Sequence, residues 1–254
     1  MQSVDGWPSP VAQSGSELGA DMATKDVAAL KRDAAQAALE LVEPGMALGL
    51  GSGSTALAFV EALAERVAGG LTVGVCVVTS RATGAAAVKG GIEVVDMMRD
   101  DAPTRLDLVV DGADEIDPAL RLIKGGGAAL LREKVVAQMA DRFIVIADAS
   151  KRVAQLGAFP LPVEIIPFGR AVTLSRLADA AGVTPVLRTR AGGDLVQTDN
   201  GNLVADLSIG AIEDPSTLSA RLSAIPGVVE HGLFLDEAKG AIIAGDDGIS
   251  RLTA

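Results

Sequence analysis

The chain of 254 residues is 49% apolar, 22% charged and 2% aromatic with 29 glycines, which describes a globular protein of one large domain or two smaller ones and excludes disorder throughout. A formal net charge of −11 argues against a general nucleic-acid binder or a membrane-surface protein, and the lack of tyrosine argues against a platform for stacking bases. The single cysteine, Cys76, and single histidine, His231, exclude an internal disulfide or a Cys/His zinc site within one chain and fit a reducing cytoplasm.

Residues 1–21 lack a basic start followed by an apolar stretch, and no apolar run approaches the roughly 18 to 20 residues of a membrane span. Residues 1–23, rich in Ser, Gly, Pro and Gln, read as a disordered tail, with Met22 as an alternative start. From Thr24 the pattern is helical: Val27, Leu30, Ala34, Ala38 and Leu41 share one face until Pro44-Gly45 stops it. Residues 46–50 predict a strand that enters Gly51-Ser52-Gly53-Ser54-Thr55, and residues 56–67 resume helical spacing. The alternation recurs, with strands over 73–78, 92–95 and 106–110 and a helix over 80–89. Repeated βα units predict an α/β fold with a doubly wound, mostly parallel sheet.

Two polar loops follow, 111–118 and 124–127, separated by residues 120–123, which are too few for a helix. A helix is predicted over 128–140, then a buried strand over 143–147 ending in Asp148-Ala149-Ser150-Lys151, where a parallel strand delivers its C-terminal end to a ligand crevice. Phe159-Pro160-Leu161-Pro162 and Pro167-Phe168-Gly169 then break the rhythm. A helix over 171–181 and two strands flanking Thr198-Asp199-Asn200-Gly201-Asn202 come next, the Asn-Gly pair signalling a hairpin. A helix over 215–224 and a strand near Val228 complete a smaller α+β unit before residues 241–244 return to the main sheet. The expected division is a main α/β domain of 24–156 with 233–254 and a small α+β domain of 157–232.

Three loops carry the chemistry. Gly51-Ser52-Gly53-Ser54-Thr55 links a strand to a helix, so free N–H groups, the helix dipole and three hydroxyls suit a phosphate; the plain alternative is a tight βα turn. The string also fits the dinucleotide fingerprint, but Thr79 and Ser80 stand where that reading wants an acid. Asp111-Gly112-Ala113-Asp114-Glu115-Ile116-Asp117 gathers four carboxylates after an apolar strand, a costly arrangement unless cations, protons or substrate hydroxyls meet them. Their spacing does not match an EF-hand, and no metal is expected; recognition of sugar hydroxyls by paired aspartates is the sharper reading. Lys124-Gly125-Gly126-Gly127 puts a cation on a bare backbone, and six residues on stands Glu133, by itself an ordinary helix acid.

Together with Gly49-Leu50 before the first loop, Arg132-Glu133-Lys134, Asp148-Ala149-Ser150-Lys151, Val163-Glu164 and Ile225-Pro226-Gly227-Val228-Val229, these motifs resemble ribose-5-phosphate isomerase type A in order and spacing, from about Thr24 to the C-terminus. The resemblance implies interconversion of ribose 5-phosphate and ribulose 5-phosphate through an enediolate, without a cofactor or metal. It implies Glu133 as base, Lys124 as the cation near the enediolate oxygens, and Asp111 and Asp114 as groups that hold sugar hydroxyls and assist ring opening. It places Ser52, Gly53, Ser54, Thr55, Gly112, Ala113, Gly125, Gly126, Gly127 and Lys151 against the substrate, with Lys31 facing its phosphate. The implied partner is a small pentose phosphate, with no nucleic acid or membrane, and the implied assembly is a homodimer or homotetramer.

Where the family carries serines before an acidic Ser-Asp pair, this chain has Val77-Val78-Thr79-Ser80-Arg81-Ala82-Thr83, keeping hydroxyls and losing the acid; Arg81 reads as a surface residue. His231 reads as structural or subunit-contacting, and Cys76 as core. A non-catalytic sugar-phosphate sensor is the rival class, but no DNA-reading helix pair precedes Met46 and a sensor has no use for the base Glu133. A phosphosugar deaminase or lactonase lacks its expected histidine.

Overall fold

The computed structural model describes residues 26–253, so the tail expected over 1–23 lies outside the described residues. Helix α1 (Val27–Leu39) starts where the Asp26 carboxylate accepts the Ala28 N–H at 3.4 Å, and it buries Leu30, Ala34 and Ala38 of the expected stripe. In chain order there follow β1 (Leu48–Leu50), α2 (Gly53–Ala68), β2 (Cys76–Val78), α3 (Arg81–Lys89), β3 (Leu106–Asp111), β4 (Glu115–Ile116), β5 (Leu122–Ile123), α4 (Leu130–Gln138) and β6 (Ala140–Asp148). After a 3₁₀ turn at Ala149–Lys151 come β7 (Leu161–Ile165), α5 (Arg170–Ala181), β8 (Val186–Leu187), β9 (Leu203–Leu207), α6 (Pro215–Ser223), β10 (Val228–His231), β11 (Leu233–Phe234), β12 (Gly240–Gly245) and β13 (Gly248–Thr253).

The main sheet runs β13-β12-β6-β3-β1-β2, parallel except for the β12–β13 hairpin. Because β2 and β3 flank β1 on opposite sides, the strand order reverses at β1, and the C-terminal ends of β1 and β3 frame the crevice where open α/β sheets bind ligands. Helices α1 and α2 cover one face through Ala34, Ala38, Phe59 and Leu63; Val136 and Ala137 of α4, with Phe234, cover the other. A second sheet, β10-β7-β9-β8, packs on α5 and α6 through Leu177, Leu218 and Leu222. Small aliphatics make up most of these cores, as an aromatic-poor composition requires, with Phe59, Phe143 and Phe234 the largest fully buried side chains.

Three expectations need correction. Residues 92–95 form no strand beyond a bridge from Val94 to Cys76, because a turn at Asp96, whose carboxylate takes the Met98 N–H at 2.9 Å, leads the chain off the sheet edge. The strand expected over 73–78 is regular only at Cys76–Val78; before it the chain bonds the 45–46 segment irregularly, Gly45 N–H to Thr72 O at 2.9 Å and Gly74 N–H to Met46 O at 2.8 Å. The polar region after Asp111 contains a third sheet, β11-β5-β4, that pairs mid-chain residues with Leu233 and Phe234 near the C-terminal end.

Candidate active site

The site forms where β1 and β3 end. Gly51 passes so close to Asp111 that a Cβ there would lie 2.1 Å from its carboxyl group, which explains the glycine. The next residue, Ser52, donates its N–H to Asp111 Oδ1 at 2.9 Å. Although Ser52 occupies the N-cap position of α2, its hydroxyl makes no cap bond and donates instead to Glu133 Oε1 at 2.5 Å. The N–H groups at the N-terminal end of α2 thus have no side-chain cap.

Lys124 follows β5 and donates its backbone N–H to Gly232 O at 2.9 Å. Its ammonium donates to Gly112 O at 2.5 Å, pairs with Asp111 Oδ2 at 3.0 Å and lies 3.5 Å from Glu133 Oε2. The Phe234 ring stands 5.5 Å from the same ammonium. Glu133, in the first turn of α4, is buried, and its Oε2 has no hydrogen-bond partner. One carboxylate oxygen is therefore anchored by Ser52 and the other is free to take a proton beside a fixed cation.

Burial pushes Glu133 up to about 6, against the pull of Lys124 and with help from the Asp111 charge. Burial also raises Asp111, opposed by Lys124 and two backbone N–H donors, and raises Asp114, opposed by the Gly126 N–H and Lys124. For Lys124, burial alone would lower the value, but Asp111 and Glu133 outweigh it and hold the ammonium above its ordinary range. The cluster thus keeps one firm positive charge, held by the carboxylates around it.

A cavity of about 150 Å³ opens over this cluster, lined by Glu133 and by every sequence-named candidate except Asp111. Asp111 is 1% exposed and stands behind the wall, facing Lys124 and the N–H groups of Ser52 and Gly112, so direct contact with a sugar hydroxyl does not follow from its position. Asp114 does line the cavity and accepts the Gly126 N–H at 2.7 Å. The other two acids of that loop serve the fold: Glu115 accepts the N–H groups of Gly157 and Phe159 at 2.6 and 2.5 Å, and Asp117 takes the Arg121 guanidinium. Lys31 reaches over from α1 and donates to Ser54 Oγ at 2.9 Å, bringing a cation to the start of α2.

Arg188 escaped the sequence reading. It donates to the carbonyls of Gly125 and Gly126 at 2.8 and 2.9 Å while Asp206 grips its Nε at 2.9 Å, so it fixes the glycine loop from the second sheet. Nothing in the local sequence marks it, since the glycine loop it holds lies some sixty residues away. Arg81 is at the surface, as expected, against Asp199. Burial and the Lys134 ammonium lower His231 to about 4, and its Nε2 lies 3.0 Å from Ser219 Oγ, a packing role; Cys76 is core, pushed up to about 11 by burial. Among the described residues no three His, Cys, Asp or Glu side chains are grouped to hold a metal ion, and no helix is long and apolar enough to cross a membrane.

The family model for ribose 5-phosphate isomerase A (phosphoriboisomerase A) matches residues 75–248. A ribose-5-phosphate isomerase A of Nitrobacter hamburgensis is 55% identical over 226 residues, 87% of this chain and 96% of its own, and that of Rhizobium meliloti is 51% identical over 90% of this chain and 99% of its own. Among solved structures, a D-ribose-5-phosphate isomerase in complex with phospho-erythronic acid superposes with a TM-score of 0.84 at 36% identity, covering 91% of this chain and all of that one. The Plasmodium falciparum enzyme gives a TM-score of 0.84 at 34% identity over 89% of this chain and 99% of its own. With a pocket built from a free carboxylate oxygen, a buried ammonium and glycine loops, and with these likenesses over nearly its whole described length, the chain belongs to the ribose-5-phosphate isomerase A family.

Proposed function

We propose that Glu133 is the base of the aldose–ketose isomerisation of this family and that Lys124 stabilises the oxyanion it creates. Open-chain ribose 5-phosphate enters with its phosphate at Lys31, Ser54, Thr55 and the start of α2, and with C1 and C2 beside Glu133 Oε2. Glu133 takes the C2 proton; the C2–H electron pair becomes the C1–C2 double bond, and the aldehyde oxygen takes the negative charge beside the Lys124 ammonium. A proton then moves from O2 to O1, and Glu133 returns its proton to C1, leaving ribulose 5-phosphate with all atoms and electrons balanced. Asp114, raised by burial and lining the cavity, is placed to exchange the proton that ring opening requires, while Asp111 holds Lys124 and the Ser52 backbone in register.

The observation that carries this reading is the ion pair on the cavity wall between Lys124 Nζ and Glu133 Oε2, 3.5 Å apart, in which the oxygen accepts no hydrogen bond. The three lysines Lys31, Lys124 and Lys151 make the cavity locally attractive to a phosphate dianion despite the chain's charge of −11. The related enzyme's phospho-erythronic acid ligand pairs a phosphate with a planar carboxylate, the shape of an enediolate end. This acid should compete with ribose 5-phosphate here, and Lys31→Ala should weaken it about tenfold with kcat nearly unchanged. Binding without competition would contradict the placement.

The same reading carries the division into a catalytic unit of 24–156 with 233–254 and a small unit of 157–232, which supply the six- and four-stranded sheets respectively. A cytoplasmic location fits a phosphosugar substrate and a buried free thiol. A homodimer fits the apolar surface around the exposed Val88, Met98 and Val135, beside a groove of about 510 Å³; light scattering on the purified protein tests it.

A further inference from the structure

The hairpin of residues 198–202 lies outside the cavity yet reaches both helices that support its walls. Its turn closes through Thr198 N–H to Asn202 O and Gly201 N–H to Thr198 O, each 2.9 Å, with Gly201 at φ +82°. Behind it Glu164 of β7 is wholly buried, and its Oε1 accepts from Thr198 Oγ1, Asn200 Nδ2 and Asn202 Nδ2 at 2.9, 3.1 and 2.8 Å. A buried carboxylate with three donors makes the hairpin a rigid part of the second sheet.

From this anchor two arms extend. Asn200 Oδ1 accepts Arg132 Nε at 2.8 Å, and the same guanidinium reaches Asp199 O at 3.2 Å and pairs with Asp199 Oδ2 at 3.6 Å. Arg132 immediately precedes Glu133 on α4. That helix has no side-chain N-cap bond, and its N-cap Ala129 follows Ala128, which is held at φ +60°, so contacts from neighbouring elements set the aim of its first turn. On the other side, Asp199 Oδ2 accepts the Arg81 N–H at 2.8 Å at the start of α3, and Thr83 in that same turn donates its hydroxyl to Gly51 O at 2.8 Å. Gly51 leads into Ser52, which holds Glu133.

We propose that Asn200 and Asp199 are positioning residues for the isomerisation: Asn200 aims Glu133 by fixing Arg132 and the first turn of α4, and Asp199 fixes the substrate loop through the start of α3 and Thr83. The proposal rests on the assignment of Glu133 above. It also gives work to Arg81 and to the Asn-Gly hairpin, which the reaction itself leaves unused.

The test is steady-state kinetics of ribose 5-phosphate isomerisation by the full chain, with melting temperature measured beside it. Asn200→Ala should lower kcat about tenfold with KM within about twofold, since the base is misaimed while the binding loops stand. Asp199→Ala should raise KM about tenfold and, because it also removes the ion pair to Arg132, lower kcat; Asp199→Asn, whose amide oxygen still accepts from Arg81, should restore KM. Arg132→Met, whose side chain is 32% exposed and leaves no core cavity, should reproduce the kcat loss, and combined with Asn200→Ala should lower kcat no further. A melting temperature that falls while kcat and KM of the folded fraction stay at wild-type values would overturn the proposal. An inactive wild type would sink the Glu133 assignment and this inference together, whereas an active wild type with unchanged variants would sink this inference alone.

Discussion

Glu133 works as a base because its two oxygens do different jobs: Oε1 is held by Ser52 and Oε2 carries no hydrogen bond. With its proton affinity raised to about 6 by burial, it is ionised at neutral pH yet basic enough to draw a proton from carbon beside a carbonyl. The sign of the pH dependence follows, because protonating the base stops it: kcat/KM should be flat above about 7 and fall tenfold per pH unit below about 6. The Ser52 hydroxyl lowers Glu133, so Ser52→Ala should move that acid limb to higher pH as well as reduce kcat; an unmoved limb would contradict the role given to Ser52. Lys124→Met should cost about a hundredfold or more in kcat, in the manner of a lost oxyanion donor, checked by saturation kinetics. At this scale the sequence was informative through residue types alone: a lysine among glycines and acids among apolar neighbours are hard to place except in a site. It could not separate Asp114, on the wall, from Asp111, behind it, since that depends on where Gly51 lets the chain approach.

Loops and short strands set the positions of these groups. The turn from β1 into α2 was legible because an apolar strand, glycines and a helical stripe follow one another within a short local window. The sheet β11-β5-β4 was not, because two-residue strands show no period and Leu233 pairs with Ile123 across more than a hundred residues. The same distance hid Arg188, whose guanidinium caps the carbonyls of Gly125 and Gly126. Arg188→Met should free that loop and raise KM about tenfold with a smaller effect on kcat; an unchanged KM would show that the loop holds its own shape. Gly126 lies so close to Asp114 that a Cβ would sit 2.6 Å from its carboxylate, so Gly126→Ala should displace Asp114 and slow turnover of the ring-closed sugar more than of the open-chain form.

Across the whole molecule, two cores meet around the segment from β10 to β11, one through Phe234 and the other through Leu233 and Val228. Lys134 of α4 donates to Glu230 Oε1, His231 O and Leu233 O at 2.7, 2.9 and 2.8 Å, while His231 reaches Ser219 and Ser223 at 3.0 and 3.2 Å. Because the fold lowers His231 from 6.5 to about 4, the unfolded chain binds a proton in that window that the folded chain refuses, so stability is lost as pH falls from 6.5 toward 4. His231→Gln should remove on the order of 3 kcal/mol of that dependence, read from melting or urea midpoints across the window; an equally steep loss in the variant would place the cause elsewhere. The chemistry does not involve this histidine and turns on one carboxylate at a strand-order reversal. The most direct test of it is the rate at which purified protein forms ribulose 5-phosphate from ribose 5-phosphate in excess EDTA, with Glu133→Gln measured in parallel. Full wild-type turnover, with a loss of a thousandfold or so in a variant that still binds the phosphosugar, is the predicted result. Equal turnover by both proteins, or binding without turnover by the wild type, would contradict it.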